Sequence, residues 1–260
     1  MARVFITGSS DGLGLMAAQL LVEQGHRVVL HARNEQRAEQ TRQRLPAAET
    51  ILIADLANLR EQRSLAAQAN AIGTFDAVIH NAAIGYQEPR REQTEDGLSR
   101  LFAINSLAPY VLTALMHPPN RLVYVSSGLH LQGDANLRDL NWNDRRWSGH
   151  QAYSDSKLHN VLLALSVGRR WSKLLSNALT PGWVKTKMGG PGATDDLKQG
   201  HLTQVWLATS EDAEAKVTGR YFYHQREAKL LPAAQQQDVQ EKFIEACEQI
   251  SGIRLPDAAN

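Results

Sequence analysis

The chain has 260 residues, with 28 Lys plus Arg against 27 Asp plus Glu, nine histidines and one cysteine. The balanced charge excludes a broad basic field for nucleic acid and a polybasic membrane anchor, and Cys247 alone excludes an internal disulfide or a multi-cysteine metal site. No His-x3-His pair offers two ligands on one helix face, so no metal is expected. In chain order, Val4–Ile6 predicts a first strand, and a glycine-rich turn from Thr7 to Gly14 opens a helix over 12–24. Strands are predicted at Arg27–His31, Thr50–Ala54 and Ala77–His80, each after a helical pattern, then at Arg121–Val125, Ser176–Thr180 and Gly219–Tyr223. Long helices fit 97–115 and 152–172, the latter apolar at Leu158, Val161, Leu162 and Leu165, and a shorter one fits 240–250. The alternation implies an α/β protein: a seven-stranded, mostly parallel sheet with helices on both faces.

No linker or composition shift divides the chain, so residues 1–260 are expected to form a single domain. No run of eighteen apolar residues occurs and the sequence enters its first strand at once, so a cytoplasmic protein without a membrane span is expected. Two segments resist the βα pattern. Residues 129–151, rich in Asp and Asn, and 187–215, with two glycine clusters and Pro191 in its first part, are read as loops, either walls or lids of a site or plain surface excursions.

Gly8, Gly12 and Gly14 stand between a strand and a helix, where absent side chains let backbone and helix N-terminal amides approach a pyrophosphate; Ser10 and Leu13 belong to the same turn. Tyr153 and Lys157, four residues apart on a predicted helix, project from one face. A free phenol, with a pKa of about 10, gives a proton to a carbonyl oxygen but recovers it slowly. A neighbouring ammonium is expected to lower that pKa. Taken alone, Tyr-x3-Lys is also an ordinary helix-surface pair; its company with the glycine turn gives it meaning.

The spacing Thr7-Gly8-x3-Gly12-x-Gly14 is followed by Asp55-Leu56, Asn81-Ala82-Ala83, Asn105, Ser126-Ser127, Tyr153-x3-Lys157 and Pro181-Gly182-Trp183-Val184-Lys185-Thr186. In this order the motifs resemble the short-chain dehydrogenase/reductases, in their compact branch with a Rossmann-type fold. The resemblance spans about residues 3 to 186. The gap from Ser127 to Tyr153 and the phrase Pro181-Gly-Trp-Val184 are most similar to the retinol dehydrogenase-like and protochlorophyllide reductase-like group.

The resemblance implies hydride transfer between a nicotinamide dinucleotide and a carbonyl or alcohol. It carries four catalytic positions onto this chain: Tyr153 as general acid/base, Ser127 polarising the reacting oxygen, Lys157 binding ribose and assisting Tyr153, and Asn105 positioning a water beside Lys157. Ser126 is the rival of Ser127, and Asn105 has the alternative of simply satisfying backbone groups. The cofactor set implied is Gly8, Ser10, Gly12, Leu13, Gly14, Arg33, Asp55, Leu56, Asn81, Ala82, Ala83, Tyr153, Lys157, Pro181, Gly182, Val184 and Thr186. Ala32 stands where NAD-preferring relatives carry Asp and Arg33 follows it, so NADP(H) is expected over NAD(H), with Arg33 pairing a 2′-phosphate unless it is merely solvated. Asp11 runs against this, since several NADP-preferring relatives carry a cation there. Ala83 replaces the usual Gly. Of four tryptophans that could line a pocket, Trp142, Trp147, Trp183 and Trp206, only Trp183 sits inside a motif. The partners expected are a small-molecule carbonyl or alcohol and further copies of the chain, as a homodimer or homotetramer. A dinucleotide-sensing protein without turnover is the alternative, disfavoured by retention of Tyr153.

Overall fold

A computed structural model describes residues 1–257. Strand β1 (Arg3–Ile6) leads through the glycine turn into helix α1 (Gly12–Glu23), and β2 (Arg27–Ala32), α2 (Glu35–Arg44), β3 (Thr50–Ile53), α3 (Leu59–Ile72) and β4 (Ala77–His80) complete the first half. Helix α4 (Arg100–Phe102), a π-helical stretch (Ala103–Leu107) and α5 (Ala108–Leu115) form one continuous rod. The rod is followed by β5 (Arg121–Val125), α6 (Gly149–Arg170), β6 (Leu175–Thr180), α7 (Leu202–Thr209), β7 (Tyr221–Tyr223), β8 (Arg226–Glu227) and α8 (Gln237–Ser251). The sheet order is β3-β2-β1-β4-β5-β6-β7-β8, and β1 pairs in parallel with both β2 and β4. The chain therefore reverses its direction of travel across the sheet beside β1, which opens a crevice at the carboxyl ends of β1 and β4.

Both sheet faces are buried, as the continuous apolar strands demand. Phe5 and Val29 enter one core with Leu65, Val111, Leu162 and Phe243, while Val4, Ile6, Val28 and Leu30 enter the other with Leu15, Leu21, Val205 and Leu207. Alternate strand residues thus feed opposite cores. Helix boundaries follow local chemistry: Asp11, Asn34 and Asn58 cap α1, α2 and α3 with their side-chain oxygens.

The sheet has eight strands where seven are expected from sequence. The extra strand pairs antiparallel with β7 through a turn at His224 and Gln225, both in the left-handed region (φ 47° and 61°). A two-residue turn of that kind is usually marked by Asn-Gly, so His-Gln carried no signal. The expected loop 187–215 contains α7, whose Val205, Leu207 and Ala208 pack into the second core. The loop 129–151 opens with a 3₁₀ turn, Gly128–Gln132. Its remainder is knitted by Asp139, whose carboxylate accepts from the amides of Asn143, Asp144 and Arg145 (2.8, 2.8 and 3.1 Å), and by the Arg145–Asp155 ion pair (3.0 Å) onto α6. Such bonding fixes the segment to α6, and of the whole loop only Leu129, His130, Leu131 and His150 line a large cavity. Cys247 is fully buried, and no helix among the described residues is long and apolar enough to cross a membrane.

Candidate functional site

The glycine turn is held by bonds that the turn's own sequence does not show. Thr7 Oγ1 accepts from the amides of Asn81 and Ala82 (3.0 and 3.1 Å), and Asn81 Nδ2 donates to the carbonyls of Thr7 and Gly8 (3.0 and 3.1 Å). Asn81 thus staples β1 to the end of β4. A side chain at Gly14 would place its Cβ 2.4 Å from Asn81 Nδ2 and 2.6 Å from the Gly8 carbonyl oxygen. At Gly12 the same atom would meet nothing within 4 Å, and the backbone there is left-handed (φ 53°). Gly14 is required by packing and Gly12 by conformation.

His31, at the end of β2, completes the frame. Its Nδ1 accepts from the Gly8 amide (2.9 Å) while Nε2 lies 2.9 Å from the Ala54 carbonyl, which fixes a neutral ring with its proton on Nε2. Burial holds its pKa down at about 4, against weaker upward pulls from the Ala54 carbonyl and Asp55. In the sequence His31 is legible only as a strand residue.

Around this turn lies a cavity of about 500 Å³, lined by Gly8, Ser10, Gly12, Leu13, Gly14, Arg33, Asp55, Leu56, Asn81, Ala82, Ala83, Tyr153, Lys157, Pro181 and Thr186 among others. Every member of the sequence-derived cofactor set lies on it except Gly182 and Val184. Those two line a second cavity, of about 640 Å³, on the other side of Tyr153. Leu13, Ser126, Tyr153, Pro181, Thr186 and Met188 belong to both linings, so the two spaces meet at the phenol.

At the rim of the first cavity, Asp11 is surrounded by cations. Lys187 Nζ reaches its carboxylate at 2.5 Å, Arg44 at 3.4 Å and Arg37 at 3.6 Å, and the Lys187 hydrogen bond is the main cause of a pKa drawn down to about 2. Arg37, one turn into α2 from the exposed Arg33, also lines the cavity and was missed in the sequence reading, although its i+4 spacing from Arg33 is visible there.

The candidate reacting groups sit on α6 and at the end of β5. Ser126 is fully committed: buried, it donates to the Lys157 carbonyl at 2.7 Å and so ties β5 to α6. Ser127 is half-buried, and its hydroxyl accepts from the Leu129 amide (3.2 Å). Lys157 Nζ donates to the Val125 carbonyl (3.0 Å) and lies 5.4 Å from the centre of the Tyr153 ring. Burial pulls Lys157 down to about 7. Burial also pushes the Tyr153 phenol above its ordinary value, with the Ser127 hydroxyl pulling it back and Tyr86 adding to the rise. The expected lowering of the phenol by Lys157 is not found: the phenol is raised, and burial disfavours the charged form of both groups.

Asn105 lies in the π-helical stretch, fully buried. Its Oδ1 accepts from the Ile84 amide (2.9 Å), and Nδ2 donates to the Ile84 carbonyl and to Ser156 Oγ (3.0 and 3.1 Å). Both amide hydrogens are used, which leaves one lone pair of Oδ1 for a water. Met188, absent from the sequence reading, places Sδ 3.8 Å from the Tyr153 hydroxyl. Of the four tryptophans considered, Trp183 alone lines either large cavity; Trp142 and Trp147 pack on each other and Trp206 packs on Phe222. Among the described residues no group of three or more His, Cys, Asp or Glu is placed to share a metal ion.

A parallel sheet with a glycine turn at its switch point, a cavity around that turn and a more apolar one beyond a Tyr–Lys pair defines a nucleotide-dependent oxidoreductase architecture. The chain belongs to the short chain dehydrogenase family, whose model matches residues 2–136. It is 44% identical over 260 residues to the short-chain dehydrogenase chyC of Penicillium rubens, covering 98% of this chain and 100% of that one. It is 32% identical to human retinol dehydrogenase 14, covering 96% of this chain and 86% of the relative. Among solved structures, a Mycobacterium paratuberculosis protein superposes with a TM-score of 0.84 at 27% identity, covering 98% of this chain and 95% of the other.

Proposed function

We propose that the protein is an NADP(H)-dependent oxidoreductase that interconverts a carbonyl and an alcohol on a small to medium, mostly apolar substrate, with Tyr153 as general acid/base. The observation that carries this reading is the meeting of two cavities at the Tyr153 phenol, with Lys157 buried behind it. The residues fit a dinucleotide: Gly8, Gly12, Leu13 and Gly14 bring the turn and the N-terminus of α1 onto the cavity, where a pyrophosphate belongs, and a Cβ at Gly12 would meet only open space. When bound, the dihydronicotinamide supplies the hydride.

In reduction, Tyr153 donates its proton to the carbonyl oxygen as charge develops there, and the Ser127 hydroxyl donates a hydrogen bond to the same oxygen. The raised phenol pKa keeps Tyr153 protonated, hence ready to donate, at neutral pH. The resulting phenolate must be reprotonated, and Lys157, with a pKa near 7, gives and takes protons at that pH. Asn105 is a positioning residue that braces Ile84 against Ser156, next to Lys157, and offers its remaining lone pair to a relay water. Gly182, Val184 and Thr186 belong to the strap that separates the two spaces.

Preference for NADP(H) rests on charge. No acid ends β2, and Arg33 and Arg37 line the adenosine end of the first cavity. Two acids, Asp11 and Asp55, share that lining; Asp11 is masked by Arg37, Arg44 and Lys187, so the rim beside Arg33 and Arg37 stays positive toward a 2′-phosphate. Steady-state kinetics with both cofactors test it: kcat/KM is expected to be higher with NADPH, and equal values overturn the assignment.

A further inference from the structure

The cavity beyond Tyr153 has an unusual wall. Four of the six tyrosines of the chain, Tyr86, Tyr153, Tyr221 and Tyr223, line it together with Trp183. Apart from Met1, the only exposed large hydrophobic side chains among the described residues are Leu131 (42% exposed) and Trp183 (49%), and both lie on this same lining. Scattered exposed apolar groups carry no meaning, but two on one cavity mark a surface kept for an apolar ligand.

These rings are pinned in place. The Trp183 indole donates to the Gly189 carbonyl at 2.9 Å, and its main-chain amide donates to Asp195 at 2.7 Å. The Tyr223 hydroxyl donates to the same carboxylate oxygen at 3.2 Å. Tyr86 stands edge-on to Tyr153, with ring centres 5.7 Å apart. A half-exposed tryptophan held by two bonds at a cavity opening loses little freedom when a ring stacks on it. A saturated chain gains only buried area there, whereas a planar ring adds a stacked or edge-on contact with each aromatic partner.

We infer that the substrate class is a planar aromatic carbonyl compound, its ring system seated against Trp183 and the tyrosine wall while its carbonyl reaches Tyr153 and Ser127. This rests on the carbonyl-reduction reading above for the placement of the carbonyl, and the aromatic preference is tested separately from turnover.

The probes are acetylnaphthalene and its fully saturated counterpart acetyldecalin, which share a skeleton and a carbonyl. Binding is measured by calorimetry on the NADPH-loaded Tyr153→Phe protein, and reduction is followed with the wild type. The aromatic ketone is expected to bind about tenfold or more tightly than the saturated one, two ring partners each contributing. In Trp183→Leu that ratio falls about fivefold, while Trp183→Phe keeps most of it. Equal binding of the two ketones, or a ratio unmoved by Trp183→Leu, overturns the inference. Selective binding without any reduction of the aromatic ketone by the wild type overturns the carbonyl-reduction reading and leaves the aromatic site standing. Reduction of both ketones with no binding preference does the reverse.

Discussion

The two cavities that meet at Tyr153 are built in different ways. The one around the glycine turn is framed on one side by backbone and short side chains, locked by Asn81, Thr7 and His31, with cations at its rim. The one beyond Tyr153 carries aromatic side chains brought in by loops and by β7: Tyr86, Trp183, Tyr221 and Tyr223. A backbone-lined pocket is specified by a few residue types at fixed spacing, because only Gly admits the close approach and only a short polar side chain reaches the turn. An aromatic-lined pocket is specified by where distant loops come to rest. The first suits a ligand shared by many proteins and the second a substrate particular to this one.

The sharpest way to break this division is Tyr153→Phe, which removes one oxygen at the junction. Turnover is expected to fall at least about 100-fold, the usual contribution of a positioned acid/base, while fluorescence titration shows NADPH affinity within about threefold. Next comes Gly14→Ala, which drives a methyl group into Asn81 and the Gly8 carbonyl; overpacking of this kind costs about 1–3 kcal/mol, so NADPH affinity should drop about tenfold or more and thermal stability with it. Gly12→Ala meets open space and pays only for its left-handed backbone, so its loss should be smaller; equal losses at both positions contradict the packing argument. The double variant Arg33→Ala, Arg37→Ala should reduce the preference for NADPH over NADH by about tenfold, as read from the ratio of kcat/KM values, without raising activity against a given ketone.

A smaller effect distinguishes the frame from the wall by pH. His31, His80 and His159 are buried and neutral, with pKa values held by burial at about 4, about 3 and about 4. Unfolded, each takes up a proton near its ordinary value of about 6.5, so the unfolded state binds more protons below that pH. The stability from keeping them neutral is complete above about 6.5 and is lost as pH falls toward 4. Because His31 alone of the three accepts a bond from the turn, NADPH affinity should weaken over the lower part of that range before the thermal midpoint collapses. Least of all, Lys187→Ala should change stability by under about 1 kcal/mol, since Lys187 is almost wholly solvated.

The division also explains what could be read in the sequence. The glycine turn, Asn81, the Tyr153–Lys157 pair and the sheet were legible because each rests on local spacing or on strand periodicity. His31 was not, because its partners Gly8 and Ala54 lie 23 residues away on either side. Arg37 was half visible as a cation one turn after Arg33. Met188 gave no signal and Tyr223 only that of a strand residue, since their places in the site depend on how the segment after β6 folds back across Tyr153. The burial that raises Tyr153 and lowers Lys157 is a property of the packed α6 and has no trace in the Tyr-x3-Lys spacing.

The most direct test of the central claim follows NADPH oxidation by absorbance with an aromatic ketone, in the wild type and in Tyr153→Phe, alongside NADPH binding to both. The account expects the wild type to oxidise NADPH in step with loss of the ketone, and the variant to bind NADPH as well while turning over at least about 100-fold more slowly. Undiminished turnover in the variant, or no NADPH binding by the wild type, would contradict it.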